Sequence, residues 1–283
     1  DVVSALALSG LLILAEQPLQ LFQCGFQLSF LSVGAVALVY PALQKRLGWK
    51  KKAAMSLLSG LSVTLFTLPC TLYWFYEWMP YAVFLNLIVI PLVPVVFLSG
   101  AAGMLTGGAS VAAGMFLAGA SAGVLRFFQT LLERTAVLPG SRAVIGQPEL
   151  WQIALYYVLV GAAVWGGRCR ARKKNQHRIE VRIFFIIFAL CILCLPFHRP
   201  VEVTFLDVGQ GDAVFLRTEA GTTCLIDGGS TTVSDVGTYR LLPFLKSRGV
   251  SSLDYLFLSH LDADHINGAE ELLNDQFRGI PIR

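Results

Sequence analysis

The chain has 283 residues, of which 55% are hydrophobic and only 14% charged, with a mean hydropathy of +0.65. A soluble domain carries about 25% charged residues, so an ordinary soluble enzyme is excluded. The net charge of +4 conceals a split: 15 basic and 6 acidic residues up to Arg182, then 7 basic and 12 acidic from Ile183 onward.

A basic, apolar first part joined to an acidic, more polar second part predicts two domains in two solvents, residues 1–199 and residues 200–283. The chain opens on Asp1, already inside an apolar run and without the basic start of a signal peptide. Together with its close at Arg283, this leads us to expect an internal fragment of a longer protein.

A membrane-crossing helix needs about 20 mostly apolar residues. Apolar runs at 2–15, 26–40, 53–76, 81–104, 109–131, 151–167 and 183–197 are the candidate spans. The tract from Tyr81 to Leu132 reads either as two spans or as one span with a re-entrant piece. Its Pro91, Pro94, "SGAAG" and "LTGG" predict broken or closely packed helices, because small residues let backbones approach.

Two segments are strongly basic, "QKRLGWKKK" at 44–52 and "RCRARKKNQHRIEVR" at 168–182. The positive-inside rule places both in the cytoplasm. Four spans between them return the chain to the same side, and "EWMP" and "ERTAVLPGSRAVIGQPEL" fall outside. One more crossing, at 183–197, delivers everything after Pro200 to the extracytoplasmic face. The basic runs themselves are explained by anchoring against anionic lipid, and contact with a polyanion is the sharper alternative.

Gln23, Gln27, Asn86 and Arg126 are polar groups in or beside spans, where they are costly and tend to face a bundle interior or a wet path. They are the candidates for a translocation path. The plainer accounts are that Arg126 snorkels to the interface and that the two glutamines cap a span. Cys24, Cys70, Cys191 and Cys194 sit in or beside apolar segments, where a thiol acts as a small hydrophobe. The Cys191–Cys194 spacing therefore carries little redox or zinc signal.

After Pro200 the pattern becomes short and alternating. "VEVTFLDVG", "DAVFLRTE" and "TTCLIDGG" read as strands, "VGTYRLLPFLKSRG" as a helix closed by Gly249, "LDYLFLS" as a fourth strand and "GAEELLNDQ" as a helix. This is an α/β layered beginning. The fourth strand runs straight into "HLDADH". In an extended stretch His260 and Asp262 project to one side. Asp264 and His265 would lie in the turn before the helix, so four donors can converge. Imidazole with carboxylate suits Zn²⁺ or Mn²⁺, and a paired centre would generate hydroxide and stabilise a phosphoryl or acyl transition state. The bland reading, a polar turn with coincidental histidines, is weakened because two of the chain's four histidines fall in this window.

His260 to Gly268, H-x-D-x-D-H-x-x-G, resembles the H-x-H-x-D-H motif of the metallo-β-lactamase superfamily. With "LDVGQGDAVFL", "LIDGG" and the membrane segment "LFQCGFQLSFLSVGAVAL", nearly the whole chain resembles the ComEC competence family of DNA-internalisation proteins. The resemblance implies a polytopic α-helical membrane domain followed by the N-terminal part of an αββα metallo-β-lactamase-like domain. It also implies a channel that passes single-stranded DNA through the bacterial cytoplasmic membrane, and an outer domain with nuclease-type chemistry.

By this resemblance two divalent metal ions, Zn or Mn, would be held by His260 and Asp262 and by Asp264 and His265. Asp264 would also orient the reacting water and so is the catalytic candidate. Asp227 would be a supporting carboxylate, and Asp207, Gln210 and Asp212 a loop beside the site. The implied partners are single-stranded DNA, membrane lipid, other competence proteins and further copies of the chain.

Asp262 stands where many superfamily members have histidine, which makes that position harder and more tolerant of Mn²⁺ or Mg²⁺. The superfamily's later ligands would fall beyond Arg283, so we expect negligible hydrolysis by residues 1–283 alone. The rival readings are a membrane-tethered hydrolase of a non-nucleic-acid substrate and a transporter with an inert outer domain. A tether needs one span rather than six or seven, which weighs against the first.

Overall fold

A computed structural model of the protein describes residues 1–47, 51–165, 175–195, 201–274 and 280–282. Parts of the two basic segments, 48–50 and 168–174, and the end of the 183–197 run lie outside the described residues. The chain divides into two compact units. One comprises Asp1–Gly34, Phe66–Trp78 and Ala143–Arg283, and the other Ala35–Leu65 and Met79–Arg142.

Helix α1 (Val2–Glu16) leads through a 3₁₀ turn at Pro18–Phe22 into α2 (Cys24–Gly34), which continues as a π-helical stretch, Ala35–Val39, and then α3 (Tyr40–Leu47). The expected 26–40 span is thus longer than its apolar run. Pro41 offers no N–H to the preceding turn and crowds it, and the widened π turn just upstream accommodates this without ending the helix.

The next helices are α4 (Lys52–Phe75), α5 (Ala82–Gly107), α6 (Val111–Ala136), α7 (Leu150–Trp165) and α8 (Asn175–Leu193). Among the described residues, four helices are long and apolar enough to cross a membrane: Cys24–Lys45, Ala54–Phe75, Ala82–Gly107 and Val111–Ala136. Val2–Glu16 and Leu150–Val164 are apolar but shorter. Of the seven expected segments, α8 differs most, because it begins at Asn175 within the basic segment. "NQHRIEVR" contains no Pro or Gly to stop a helix, and hydropathy alone could not show that start.

The 81–132 tract resolves into a two-helix hairpin. Helix α5 runs unbroken through Pro91 and Pro94, and the expected close packing is present. A side chain on Gly103 would meet Ala118 and the Gly114 carbonyl at 2.9 Å. The Ser121 hydroxyl crosses to the Val96 carbonyl at 2.8 Å. Phe97, Met104, Leu105 and Phe116 point outward, each more than 70% exposed, as apolar side chains do when lipid is the solvent.

In the other unit, Tyr157 donates to the Phe66 carbonyl (3.0 Å). Gln152, fully buried at the start of α7, donates to the carbonyls of Ile192 (2.8 Å) and Leu195 (3.1 Å) at the end of α8. Its amide oxygen accepts from the Glu149 N–H (2.7 Å). One side chain therefore satisfies orphan groups at two helix ends, and α7 and α8 run antiparallel.

The two-residue strands β1 (Glu77–Trp78) and β2 (Ala143–Val144) pair antiparallel. Together with the following residues they hold the region after 200. The Gln147 N–H donates to the Ser247 carbonyl (2.9 Å), and Lys246 pairs with Glu77 at 3.0 Å.

That region is a four-stranded sheet in the order β3 (Glu202–Phe205), β4 (Val214–Arg217), β5 (Thr223–Ile226), β6 (Tyr255–Phe257). The first two pairings are antiparallel and β5–β6 is parallel. A π turn, Gly237–Leu241, leads into α9 (Leu242–Ser247), and α10 (Ala263–Asn274) follows β6. Phe215 and Leu225 of one sheet face pack with Leu241, Leu245, Leu253 and Leu272 into the core. The opposite face carries Val203, Phe205, Tyr255 and Phe257, each more than half exposed. An apolar sheet face of this kind calls for a second layer, as an αββα arrangement supplies.

Candidate metal centre

Strands β5 and β6 are parallel, and the candidate residues collect beyond their carboxyl ends, the usual place for a site in such a sheet. Asp227 directly follows β5 in a left-handed conformation (φ 56°). Asp tolerates this region better than most residues. Its carboxylate accepts from the Ser259 N–H (2.7 Å), the Ser259 hydroxyl (2.8 Å) and His265 Nδ1 (3.1 Å). Burial works to raise the Asp227 carboxyl, but these bonds outweigh it and hold it below the usual carboxylate range.

Helix α10 begins at Ala263, earlier than the alternation suggested, so Asp264 and His265 occupy its first turn rather than the turn before it. The Asp262 carbonyl accepts from the N–H groups of His265 (2.9 Å) and Ile266 (3.2 Å), which starts the helix. His265 is thereby carried inward and buried. The hydrogen bond that His265 donates to Asp227 comes first among the causes that raise its pKa above the usual histidine value; burial opposes it, and the charges of Asp227, Asp264 and Asp212 add to it.

Of the predicted ligands, the structure brings three together. One atom each from His260, Asp264 and His265 lie within 4.8 Å of one another. The rings of His260 and His265 are 3.7 Å apart, centroid to centroid. Asp262 lies outside this group. Its carboxylate, 80% exposed, is 3.6 Å from His260 Nε2, so the two do project to one side. Two imidazoles and a carboxylate at this spacing fit a borderline divalent cation such as Zn²⁺ or Mn²⁺.

The supporting residues separate. Asp227 positions His265. Asp212 reaches the site, with its carboxylate 3.9 Å from His265 Nε2 and its N–H donating to the Asp264 carbonyl (3.2 Å). Gln210 contributes backbone, donating from its N–H to Thr232 Oγ1 (2.9 Å) and accepting at its carbonyl from the Thr231 N–H (2.8 Å). Asp207 is exposed on the same loop.

Sequence reasoning missed Ser259. Its hydroxyl also lies 2.9 Å from His260 Nδ1, and so it links both histidines to Asp227. The only signal was its place between a strand and His260. It also missed Asn267, which holds the Ser230 backbone through both its amide atoms (2.9 and 2.6 Å).

The path candidates fare unevenly. Gln27 is occupied: it accepts from Trp74 Nε1 (2.9 Å) and Cys70 Sγ (3.4 Å) and donates to the Leu21 carbonyl (3.0 Å). It locks α2 to α4. Gln23 is exposed beside the 3₁₀ turn, and Asn86 is half-buried in α5. Arg126 is exposed roughly three turns before the end of α6, deeper than its apolar run suggested. Cys191 and Cys194 are both free thiols.

Membrane-type helices followed by an α/β sheet with a histidine–aspartate corner define a multi-pass membrane protein with a metallohydrolase-like domain. Comparison with known proteins agrees on both parts. Residues 1–169 match the competence protein family model, and residues 206–276 match that of the metallo-β-lactamase superfamily, which points to divalent-metal use. The chain belongs to the competence protein family.

It is similar to ComE operon protein 3 of Bacillus subtilis (strain 168), with 26% identity over 287 residues, covering 95% of this chain and 36% of that protein. Recombination protein 2 of Haemophilus influenzae is 35% identical over 105 residues, covering 35% of this chain and 13% of that protein. Competence protein ComA of Neisseria gonorrhoeae is 42% identical over 71 residues, covering 25% of this chain and 10% of that protein. The chain thus spans 36% or less of the length of these relatives. No solved structure matches.

Proposed function

We propose that this chain belongs to a protein that takes up DNA for transformation and passes a single strand across the bacterial cytoplasmic membrane. In this reading residues 1–199 are the competence-type membrane domain, and residues 200–283 begin a metallo-β-lactamase-like domain with nuclease chemistry. The observation that carries it is the union, in one chain, of helices matching the competence model and a His260–Asp264–His265 donor cluster. The names of the relatives, which speak of competence and recombination, support DNA as the substrate.

In the proposed site His260, Asp262, Asp264 and His265 hold two divalent ions. When bound, such ions supply a hydroxide at neutral pH and charge stabilisation for phosphodiester cleavage. Asp227 fixes the His265 ring through Nδ1, which leaves Nε2 to face the ion. Ser259 holds the Asp227 carboxylate and His260 in register. Asp264 is the catalytic candidate.

We place the residues after 200 outside the cytoplasm. Support comes from Glu77 and Gln147, which bind α9 and lie in the two segments poor in lysine and arginine, whereas 44–52 and 168–182 are basic. Alkaline phosphatase fused after residue 200 should be active, and a fluorescent reporter that lights only in the cytosol would overturn the placement. Asp264→Asn in the complete protein should abolish degradation of labelled donor DNA while uptake persists. Unchanged degradation would remove the nuclease role.

A further inference from the structure

We propose that Asp212, from the loop between β3 and β4, is a direct metal ligand alongside His265 and Asp264. The inference rests on the reading of this corner as a divalent-metal centre and adds a ligand outside the H-x-D-x-D-H stretch.

His265 is nine-tenths buried, and its Nδ1 is taken by Asp227 at 3.1 Å. Its remaining nitrogen, Nε2, faces two carboxylates at nearly equal range, Asp264 at 3.8 Å and Asp212 at 3.9 Å. Both are beyond hydrogen-bond reach of it. Ligands around one small divalent ion, each bonded at about 2.1 Å, stand about 3.4 Å apart. Each carboxylate therefore stands within about half an ångström of ligand-to-ligand spacing from His265 Nε2. Two carboxylates facing one buried imidazole nitrogen make a place for positive charge, held by the His265 proton in the metal-free protein and by a metal ion that displaces it.

The loop is built to hold Asp212 there. The Asp212 N–H donates to the carbonyl of Asp264, and the Asp212 carbonyl accepts from the Gly229 N–H (3.3 Å). One candidate ligand is thus tied by its backbone to another. The preceding residue has to be glycine, because a side chain on Gly211 would run into the carbonyls of Gly229 and Asp264. The Asp212 carboxylate itself is 72% exposed, open to an arriving ion.

The test uses the complete protein purified in detergent. Mn²⁺ binding is measured by calorimetry, and Co²⁺ uptake by its visible absorption, which reports the ligand set. Asp212→Asn should lower Mn²⁺ affinity on the order of 10–100-fold and change the Co²⁺ spectrum, and Asp212→Glu should restore most of the affinity. With the side chain largely in solvent, the metal-free unfolding temperature of Asp212→Asn should match the wild type. Unaltered affinity, or weakened affinity with the wild-type Co²⁺ spectrum, would overturn Asp212 as a ligand and leave the metal centre standing. A complete wild-type protein that takes up neither ion would overturn both.

Discussion

Lys246 Nζ lies 3.0 Å from the carboxylate of Glu77, and both side chains are nearly nine-tenths shielded from water. The pair joins the end of α9, on the metal-site side of the chain, to the short strand that follows α4. A shielded pair of this kind is costly to break, because the partner left behind is a charge without compensation. Glu77→Lys or Lys246→Glu should each destabilise the protein by about 3 kcal/mol. The double exchange should recover most of that loss, since the two residues contact directly. Unfolding midpoints of the three variants in detergent give the coupling, and purely additive losses would show that the pair is incidental.

Gln152 offers a second mechanical test. Gln152→Leu keeps the volume but strips the bonds to the Ile192 and Leu195 carbonyls and to the Glu149 N–H. Buried groups left unpaired cost about 1–3 kcal/mol each, so the unfolding midpoint should fall. Hydrogen exchange should rise at the end of α8 before it rises elsewhere.

Gly229 lies where the β5 loop meets the start of α10. A methyl group there would collide with the Asp264 and His265 backbone. Gly229→Ala should therefore displace the first turn of α10, and with it the proposed ligands, while the sheet stays intact. The expected result is near-normal far-ultraviolet dichroism with metal affinity down by on the order of tenfold or more, because a ligand moved by an ångström no longer reaches its ion. Wild-type affinity would mean that the loop yields instead.

The sequence made legible what local pattern controls. Apolar runs marked α4 to α7, alternation marked β3 to β6, and the clustered donors marked the corner itself. Its geometry was hidden for physical reasons. The start of α10 depends on the Asp262 carbonyl accepting two bonds, which gives no periodic signal. Ser259 and Asp212 matter through what the fold brings beside them. Glu77 and Lys246, or Gln152 and Ile192, meet only because helices and strands far apart in the chain pack together. Hydropathy also places helix ends where apolar residues end, and α8 continues into charged sequence.

The Asp227–His265 pair sets the last expectation, its dependence on pH. His265 holds its proton to a higher pH than free histidine, chiefly because Asp227 accepts from it. In the metal-free protein this contribution to stability is complete below the ordinary histidine value, about 6.5. It is lost as pH rises through the raised value. Asp227 is held below the ordinary carboxylate range, so its own contribution is present above about 3.9 and is lost as pH falls through the lowered value. Metal binding runs the other way from the histidine term, because a cation must displace the proton for His265 to ligate. Mn²⁺ affinity should therefore climb as pH rises through the raised histidine value, with a proton released on binding. Asp227→Asn removes the negative charge and leaves a weaker, neutral amide oxygen as acceptor, so the rise in affinity should move to lower pH while the metal-free protein loses stability on the acid side of neutrality. Calorimetry in buffers of different ionisation enthalpy counts the proton, and thermal unfolding across the same range reads the stability. A pH midpoint for Mn²⁺ binding that does not move in Asp227→Asn would show that the pair does not govern the site.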